Sequence, residues 1–339
     1  MNKHKDVLLI LAIILLFNVV HHMLVFAVPT YMYDHGGGET VIGALVGILF
    51  LGAVVFRLMW GKAAARSSSL HVLRWGLIIN AAAPFFYIQF RGFAFLACLR
   101  LVQAAGLAGL VVGSQTLMVE YGGPGSQGLL LGGYSAMMGL GMALGPLFSA
   151  YLIEHFGYNG VFYSSVLVGA IAALAGFLIS KQPRGQEENL KESPRLGRLL
   201  RNPKLAMICG SLLLATAPYG AIITSLRIQT ESLDIPGAAV FFTVLALMYT
   251  IGGAAAGPLT DKKGPAAAVL PSFLILISGL AFLIFLAGRG TLITAAVLVG
   301  LGFGAVYSAL LILVPDCSES RGDIPSNMAL FNNSFDLGV

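Results

Sequence analysis

Apolar residues fill this chain in runs near 20 residues long, separated by short polar breaks. About 20 apolar residues in a helix cross a hydrocarbon core of about 30 Å. The runs predict membrane helices over residues 7–28, 41–60, 70–90, 93–119, 128–153, 159–180, 205–227, 238–258, 267–287 and 291–314. An eleventh run opens near Pro325 and reaches Val339, about 15 residues where about 20 are needed to span. The expectation is that the chain stops inside a helix, as a C-terminally truncated protein. One segment breaks the pattern, since residues 181–204 hold seven Lys or Arg and three Glu. The expected fold class is therefore all-α: a polytopic membrane protein with two halves, ten complete spans and an incomplete eleventh. Residues 1–180 form a six-helix half, 181–204 a linker and 205–339 an incomplete second half.

The breaks recur at an offset of 196 residues. Gly61 lies five residues before Arg66, and Gly257 begins a matching stretch that ends at Gly264; Glu120 and Asp316 close the fourth and tenth runs at the same offset. Duplicated halves are how many secondary transporters are built, with substrate held between them.

Charge sets the orientation, because Lys and Arg in short loops are retained on the cytoplasmic side. With the N-terminus inside, 16 of the 20 Lys and Arg fall on the inner side, Arg57 among them. Arg91, Arg227 and Arg289 fall outside, and Arg100 lies within a helix. The protein is expected in the cell membrane, with the N-terminus and linker cytoplasmic. The first run is longer than a signal peptide's core and lacks a small-x-small cleavage site, so it reads as an uncleaved helix. Composition agrees: 57% of residues are hydrophobic, 10% are charged and the mean hydropathy is +0.86, against about 25% charged in a soluble domain. The net charge of +5 does not indicate nucleic acid, because no basic cluster is interleaved with aromatics outside the spans. Cys98, Cys209 and Cys317 have no metal or redox spacing and are assigned no role.

Three matches make the whole chain resemble the major facilitator superfamily. The eighth break carries Gly257, Asp261 and Gly264 in the family's G-x-x-x-D-x-x-G pattern. The fourth run carries Arg100-Leu101-Val102-Gln103, similar to the family's R-x-x-Q. The fifth carries Gly141, Gly145 and Pro146, similar to the G-x-x-x-G-P of proton-coupled exporters in the family. The resemblance implies gating roles for Gly61, Arg66, Glu120, Gly257, Asp261, Gly264, Asp316 and Arg321 where the halves latch. It also implies a monomer. Ala65 departs from the pattern, standing where the family's first-half carboxylate would be, so that half latches weakly or uses Glu120 otherwise.

Residues inside the spans are the candidates for mechanism. An Arg near the membrane centre costs on the order of 2.5 to 3.5 kcal/mol on insertion scales, so Arg100 faces water, a partner or substrate, unless it snorkels to the outer surface. Gln103 lies one turn along on the same side. Asn18, His21 and His22 make a polar stripe on the first helix that fits a proton relay or interhelical packing. Asp336, with Asn332, Asn333 and Ser334, makes a polar face on the eleventh that complements Arg100 or binds a coupling cation. Tyr31, Tyr33, Tyr87, Tyr134, Tyr163 and Tyr219 line a cavity or belong to interfacial belts.

Other classes fit less well. No D-x-x-D, H-x-x-x-D or H-E-x-x-H constellation occurs, which disfavours a membrane enzyme, and the phosphate-binding loop of ATP-driven pumps is missing. No loop resembles a selectivity filter. No metal or other cofactor is expected. The reading is a secondary transporter of a small solute, embedded in the bilayer and driven by protons or another coupling cation, with efflux preferred. Proton-coupled uptake and an inactive fragment are the alternatives.

Overall fold

The structure, a computed structural model, describes residues 3–89, 92–123, 125–180, 202–233, 235 and 238–339. Most of the linker expected over 181–204 lies outside the described residues. Helices dominate: α1 (Lys3–Asp34), α2 (Glu39–Arg66), α3 (Ser69–Gln89), α4 (Phe93–Tyr121) and a long run Gln127–Phe177. That run breaks at Gly157, whose φ of 67° and ψ of −174° end one helix and start another, so that α5 is 127–156 and α6 is 158–177. Glycine tolerates this left-handed φ where a Cβ would clash with its own backbone. There follow α7 (Pro203–Ser232), α8 (Ala238–Lys263), α9 (Pro265–Ile284), α10 (Arg289–Leu313) and α11 (Ile324–Gly338).

Several helices run past the expected spans at their ends, α1 and α7 as well as α2 and α8. Gly61 to Arg66 and Gly257 to Lys263, read from the sequence as loops between helices, are the last turns of α2 and α8. Only Gly264 leaves the helix, with φ 82°. Among the described residues, eight helical runs are long and apolar enough to cross a membrane, the α5–α6 run counting once. Helix α3 is not one of them; His71, Arg74 and Asn80 lower its hydropathy. Large apolar side chains such as Leu51, Leu167, Leu174 and Ile284 stand exposed on the helices, a perimeter suited to hydrocarbon rather than water.

Packing gathers the chain into two compact units. The first holds residues 1–121, 144–194 and 320–330, and the second holds 122–143, 195–319 and 331–339. The first part of α5 thus packs with the later helices, and the first part of α11 with the earlier ones.

One end of the first unit is stitched by polar contacts. Asp6, fully buried, accepts a hydrogen bond from the Tyr121 hydroxyl at 3.1 Å and from the Ser180 backbone N–H at 3.2 Å. Arg74 donates to the carbonyls of Gly176 and Ile179, each at 3.1 Å, and lies over the Phe177 ring. It thereby satisfies carbonyls left open where α6 ends. Ser69 at the start of α3 donates to Glu120 at 2.9 Å.

Asp6→Ala leaves the Tyr121 hydroxyl and the Ser180 N–H without their acceptor. Unfilled buried donors cost about 1–3 kcal/mol, so the purified variant is expected to unfold at a lower temperature. An unchanged midpoint would show that the clamp adds nothing.

Candidate functional site: a buried polar cluster and a glycine seam

In the first unit, Arg100 and Gln103 face inward from α4, one turn apart, and each is 1% exposed. The guanidinium does not snorkel. Its Nη1 donates to Gln103 Oε1 at 2.9 Å, and the Tyr87 hydroxyl on α3 donates to the same oxygen at 3.0 Å. Nη2 reaches the Leu24 carbonyl on α1 at 3.4 Å, and the guanidinium carbon lies 5.8 Å from the Tyr87 ring centre. Its Nε, also buried, has no hydrogen-bond partner. Arginine carries five donors in a fixed fork and keeps its charge. One fork tooth therefore remains available for an oxygen that the first unit does not supply.

The α1 stripe divides between packing and openness. Asn18 donates to the Ile14 carbonyl, and His22 Nδ1 donates to the Asn18 carbonyl, both at 2.8 Å. His22 also packs where a Cβ on Gly145 would fall, 2.5 Å from its own Cβ, so Gly145 of the helix-5 motif serves close packing of α5 on α1. His21 stacks on Phe17 with ring centres 5.7 Å apart, and its Nδ1 is buried without a partner.

The sequence reading missed Arg57, assigning it to the charges flanking the membrane. It lies within α2, nine residues before the helix ends, and is 4% exposed. Its position inside the run 41–60 was the signal available. Tyr87 and Tyr134 are buried, while Tyr33 and Tyr163 are exposed, so the two buried ones are not belt residues. Tyr31 is buried against Tyr158 and Phe162, and Tyr219 packs on Phe303.

In the second unit, Asp261 binds the start of α5. Its two carboxylate oxygens accept the backbone N–H groups of Gly128 and Leu129, each at 2.9 Å. A carboxylate at a helix N-terminus satisfies open donors and complements the positive end of the helix dipole. Asp261 thus caps the start of α5 and not an end of its own helix, α8. Glycines bring the backbones together, since a Cβ on Gly128 or Gly257 would run into the other's carbonyl oxygen, and one on Gly132 would lie 3.1 Å from that of Gly253.

The corresponding place in the first unit is built without the carboxylate. Subtracting 196 from 261 gives Ala65, and adding 196 to 128 and 129 gives Ile324 and Pro325. Proline has no N–H to donate, so the acceptor and one of its two donors are absent together. Gly61 still allows close packing there, with Ser326 and Ala329 about where its Cβ would be. Asp323 instead receives the Ser320 backbone N–H and hydroxyl, both at 3.0 Å. Arg66, Asp316 and Arg321 are exposed, Gly141 is buried and Pro146 lies inside α5. Asp336 is partly buried on α11 in the second unit, and near it the Tyr307 hydroxyl donates to Asn332 at 3.2 Å. Asn333 is buried and Ser334 partly so.

Long apolar helices with polar side chains held inside two compact units define a polytopic helical membrane protein. Its sequence matches the pattern of the Major Facilitator Superfamily over residues 8–339, and the chain belongs to that family of transporters. It is 25% identical over 232 residues to the staphylopine export protein of Staphylococcus aureus (strain Mu50 / ATCC 700699), covering 65% of this chain and 57% of that one. It is 23% identical over 247 residues to the human MFS-type transporter SLC18B1, covering 70% and 53%. The chain therefore spans little more than half the length of these relatives. Among solved structures, the human organic anion transporter MFSD10 superimposes with a TM-score of 0.82 at 16% identity, over all of this chain and 91% of that one. The Escherichia coli fucose:proton symporter FucP superimposes with a TM-score of 0.79 at 16% identity, over all of this chain and 90% of that one. Both share the fold.

Asp261→Ala removes a two-pronged cap and is expected to cost about 0.5–2 kcal/mol in thermal unfolding of the purified protein. Ala65→Asp alone is expected to gain little, because Pro325 offers no donor. Ala65→Asp with Pro325→Leu is expected to be more stable than Ala65→Asp by a few degrees. An equal gain from the single substitution would contradict the donor argument.

Proposed function

We propose that the protein exports a small solute across the cytoplasmic membrane in exchange for protons, by alternating access of a six-helix first half and an incomplete second half joined by the 181–204 linker. The observation that carries this reading is Arg100: buried, bonded to a neutral Gln103, and holding an unfilled donor. A structural arginine in an apolar bundle is ordinarily fully bonded or paired with a carboxylate. An open one is suited to a ligand that comes and goes. Arg100, Gln103, His21, His22 and Asn18 of the first half and Asp336 of the second are the coupling groups. Asp336 takes and releases the proton, and Arg100 holds an anionic group of the solute.

The Asp261 seam and its weaker counterpart at Ala65 gate the movement, and the remaining gating positions act at the same helix ends. Export is favoured over uptake by the relative described as an export protein and by the Gly141, Gly145 and Pro146 stretch. The N-terminus and linker lie in the cytoplasm, and the carrier acts as a monomer.

The test uses the full chain in everted membrane vesicles with a preformed proton gradient, followed by a pH-sensitive dye while candidate solutes are added. A transported solute dissipates the gradient. Arg100→Ala is expected to reduce that substrate-dependent flux at least about tenfold, the value of one charge-assisted hydrogen bond. Unchanged flux would remove Arg100 from coupling, and solute movement in the same direction as protons would make the carrier a symporter.

A further inference from the structure

The second unit gathers a cluster of rings from four helices. Phe303 on α10 is 2% exposed, and three rings pack on it: Tyr219 of α7 with centres 5.2 Å apart, Tyr249 of α8 at 5.6 Å and Phe335 of α11 at 5.9 Å. Tyr249 meets it edge-on at 71°, Phe335 lies nearly parallel at 18° and Tyr219 is tilted by 32°. Aromatic pairs favour such offset and edge-to-face arrangements. A glycine seats Tyr249, since a Cβ on Gly139 of α5 would fall 2.8 Å from its ring. Tyr219 and Phe335 are each partly exposed, so ring surface of both remains open.

The fold does not demand these rings. The 196-residue repeat holds in the packing: Gly106 faces Asn80 on α3 as Gly302 faces Leu276 on α9, and Gly52 faces Ala104 on α4 as Met248 on α8 faces Gly300. Subtracting 196 from the four ring positions gives Met23, Ala53, Leu107 and Gly139. Met23, Ala53 and Leu107 are buried, so the same frame closes there on small or aliphatic side chains. One repeat of the two carries rings at all four positions.

Two phenols in the cluster lack an oxygen to donate to. The Tyr249 hydroxyl is buried with no hydrogen-bond partner, and that of Tyr219 reaches only the Met142 sulfur, at 3.9 Å, a weak acceptor. Tyr307 shows the ordinary case, donating to Asn332 at 3.2 Å. A buried hydroxyl without an acceptor is a cost that phenylalanine avoids, so ring packing alone would be better served by phenylalanine at 249. Among the described residues, none of the four ring residues bonds to or stacks on a charged side chain. The cluster therefore offers ring faces and hydroxyl donors, with no ionic partner.

We infer that this cluster receives a flat aromatic carbonyl group of the transported solute, an aryl ketone or quinone, with its rings against Tyr219 and Phe335 and its oxygen accepting the Tyr249 hydroxyl. Ring faces stack with a further flat π-system, and a carbonyl oxygen is the acceptor that the surrounding side chains do not supply. The inference rests on the transport reading for its meaning as a substrate site, but the binding itself is testable without transport.

The probes are 9-fluorenone, a flat aryl ketone; fluorene, which keeps the rings and lacks the oxygen; and dicyclohexyl ketone, which keeps the oxygen and lacks the rings. Each is titrated against the purified full chain in lipid nanodiscs while thermal unfolding is followed. Fluorenone is expected to raise the midpoint with a dose that saturates, fluorene to do so only at several-fold higher concentration, and dicyclohexyl ketone to leave it in place. Tyr249→Phe removes a hydroxyl that has no partner, so it should not lower the midpoint without ligand. It should weaken fluorenone about 3- to 10-fold, the value of one neutral hydrogen bond, and leave fluorene unchanged. Because the comparison of three ligands uses the unaltered chain, a variant that fails to fold does not block the test. Equal stabilisation by dicyclohexyl ketone, no shift with fluorenone, or undiminished fluorenone binding by Tyr249→Phe would overturn the inference. Fluorenone binding without solute-driven proton flux would sink the transport reading and leave the ring site standing; solute-driven flux with no fluorenone binding would do the reverse.

Discussion

The structure turns on a guanidinium held inside an apolar bundle and bonded, among the described residues, to no carboxylate. Charges leave water only at a cost of several kcal/mol, which partners must offset. Arg100 has a partial set: one amide oxygen, one distant carbonyl and a ring face. The neighbourhood serves that set. The Tyr87 hydroxyl donates to Gln103, and α1 brings its Leu24 carbonyl to the guanidinium. A bundle that needed only stability would place leucine at this position.

Around that centre the helices are brought close by glycine rather than by large apolar side chains. In hydrocarbon there is little hydrophobic drive for one helix to seek another, so close backbone approach and hydrogen bonds decide which helices adhere. The α5–α8 seam of Gly128, Gly132, Gly253 and Gly257, closed by Asp261, uses both devices. The matching seam at Gly61 keeps the close approach and has Ala65 where Asp261 would stand. The two seams, 196 residues apart in sequence, therefore differ in the carboxylate cap that Asp261 supplies to one of them.

Much of this could be read from residue order. Runs of about 20 apolar residues marked the helices because length and hydropathy suffice for a membrane span, and the 196-residue offset located the paired seams. The ends were misjudged where a helix carries polar residues in its last turns, as at Gly61 to Arg66 and Gly257 to Lys263. Those glycines serve contact between helices, and a sequence pattern does not distinguish that use from a turn. Arg57 was assigned to the flanking charge because charge counting treats position near a helix end as position outside. Asp6 passed unnoticed among Lys3 and Lys5, since its partners Tyr121 and Ser180 lie more than 100 residues away. Arg100 with Gln103 was legible because one turn of helix joins them; their tie to Tyr87 and Leu24 was not.

The central claim is that the interior of the first unit is a water-reached, positively charged pathway and not a sealed core. The direct measurement replaces Cys98, Cys209 and Cys317 by serine, introduces His21→Cys, and compares the rates at which an anionic and a cationic methanethiosulfonate reagent modify that single thiol in membranes. The account predicts modification, with the anionic reagent faster, and slower reaction of that reagent when Arg100→Gln is added. A thiol that neither reagent reaches, or that the cationic one modifies faster, would contradict it.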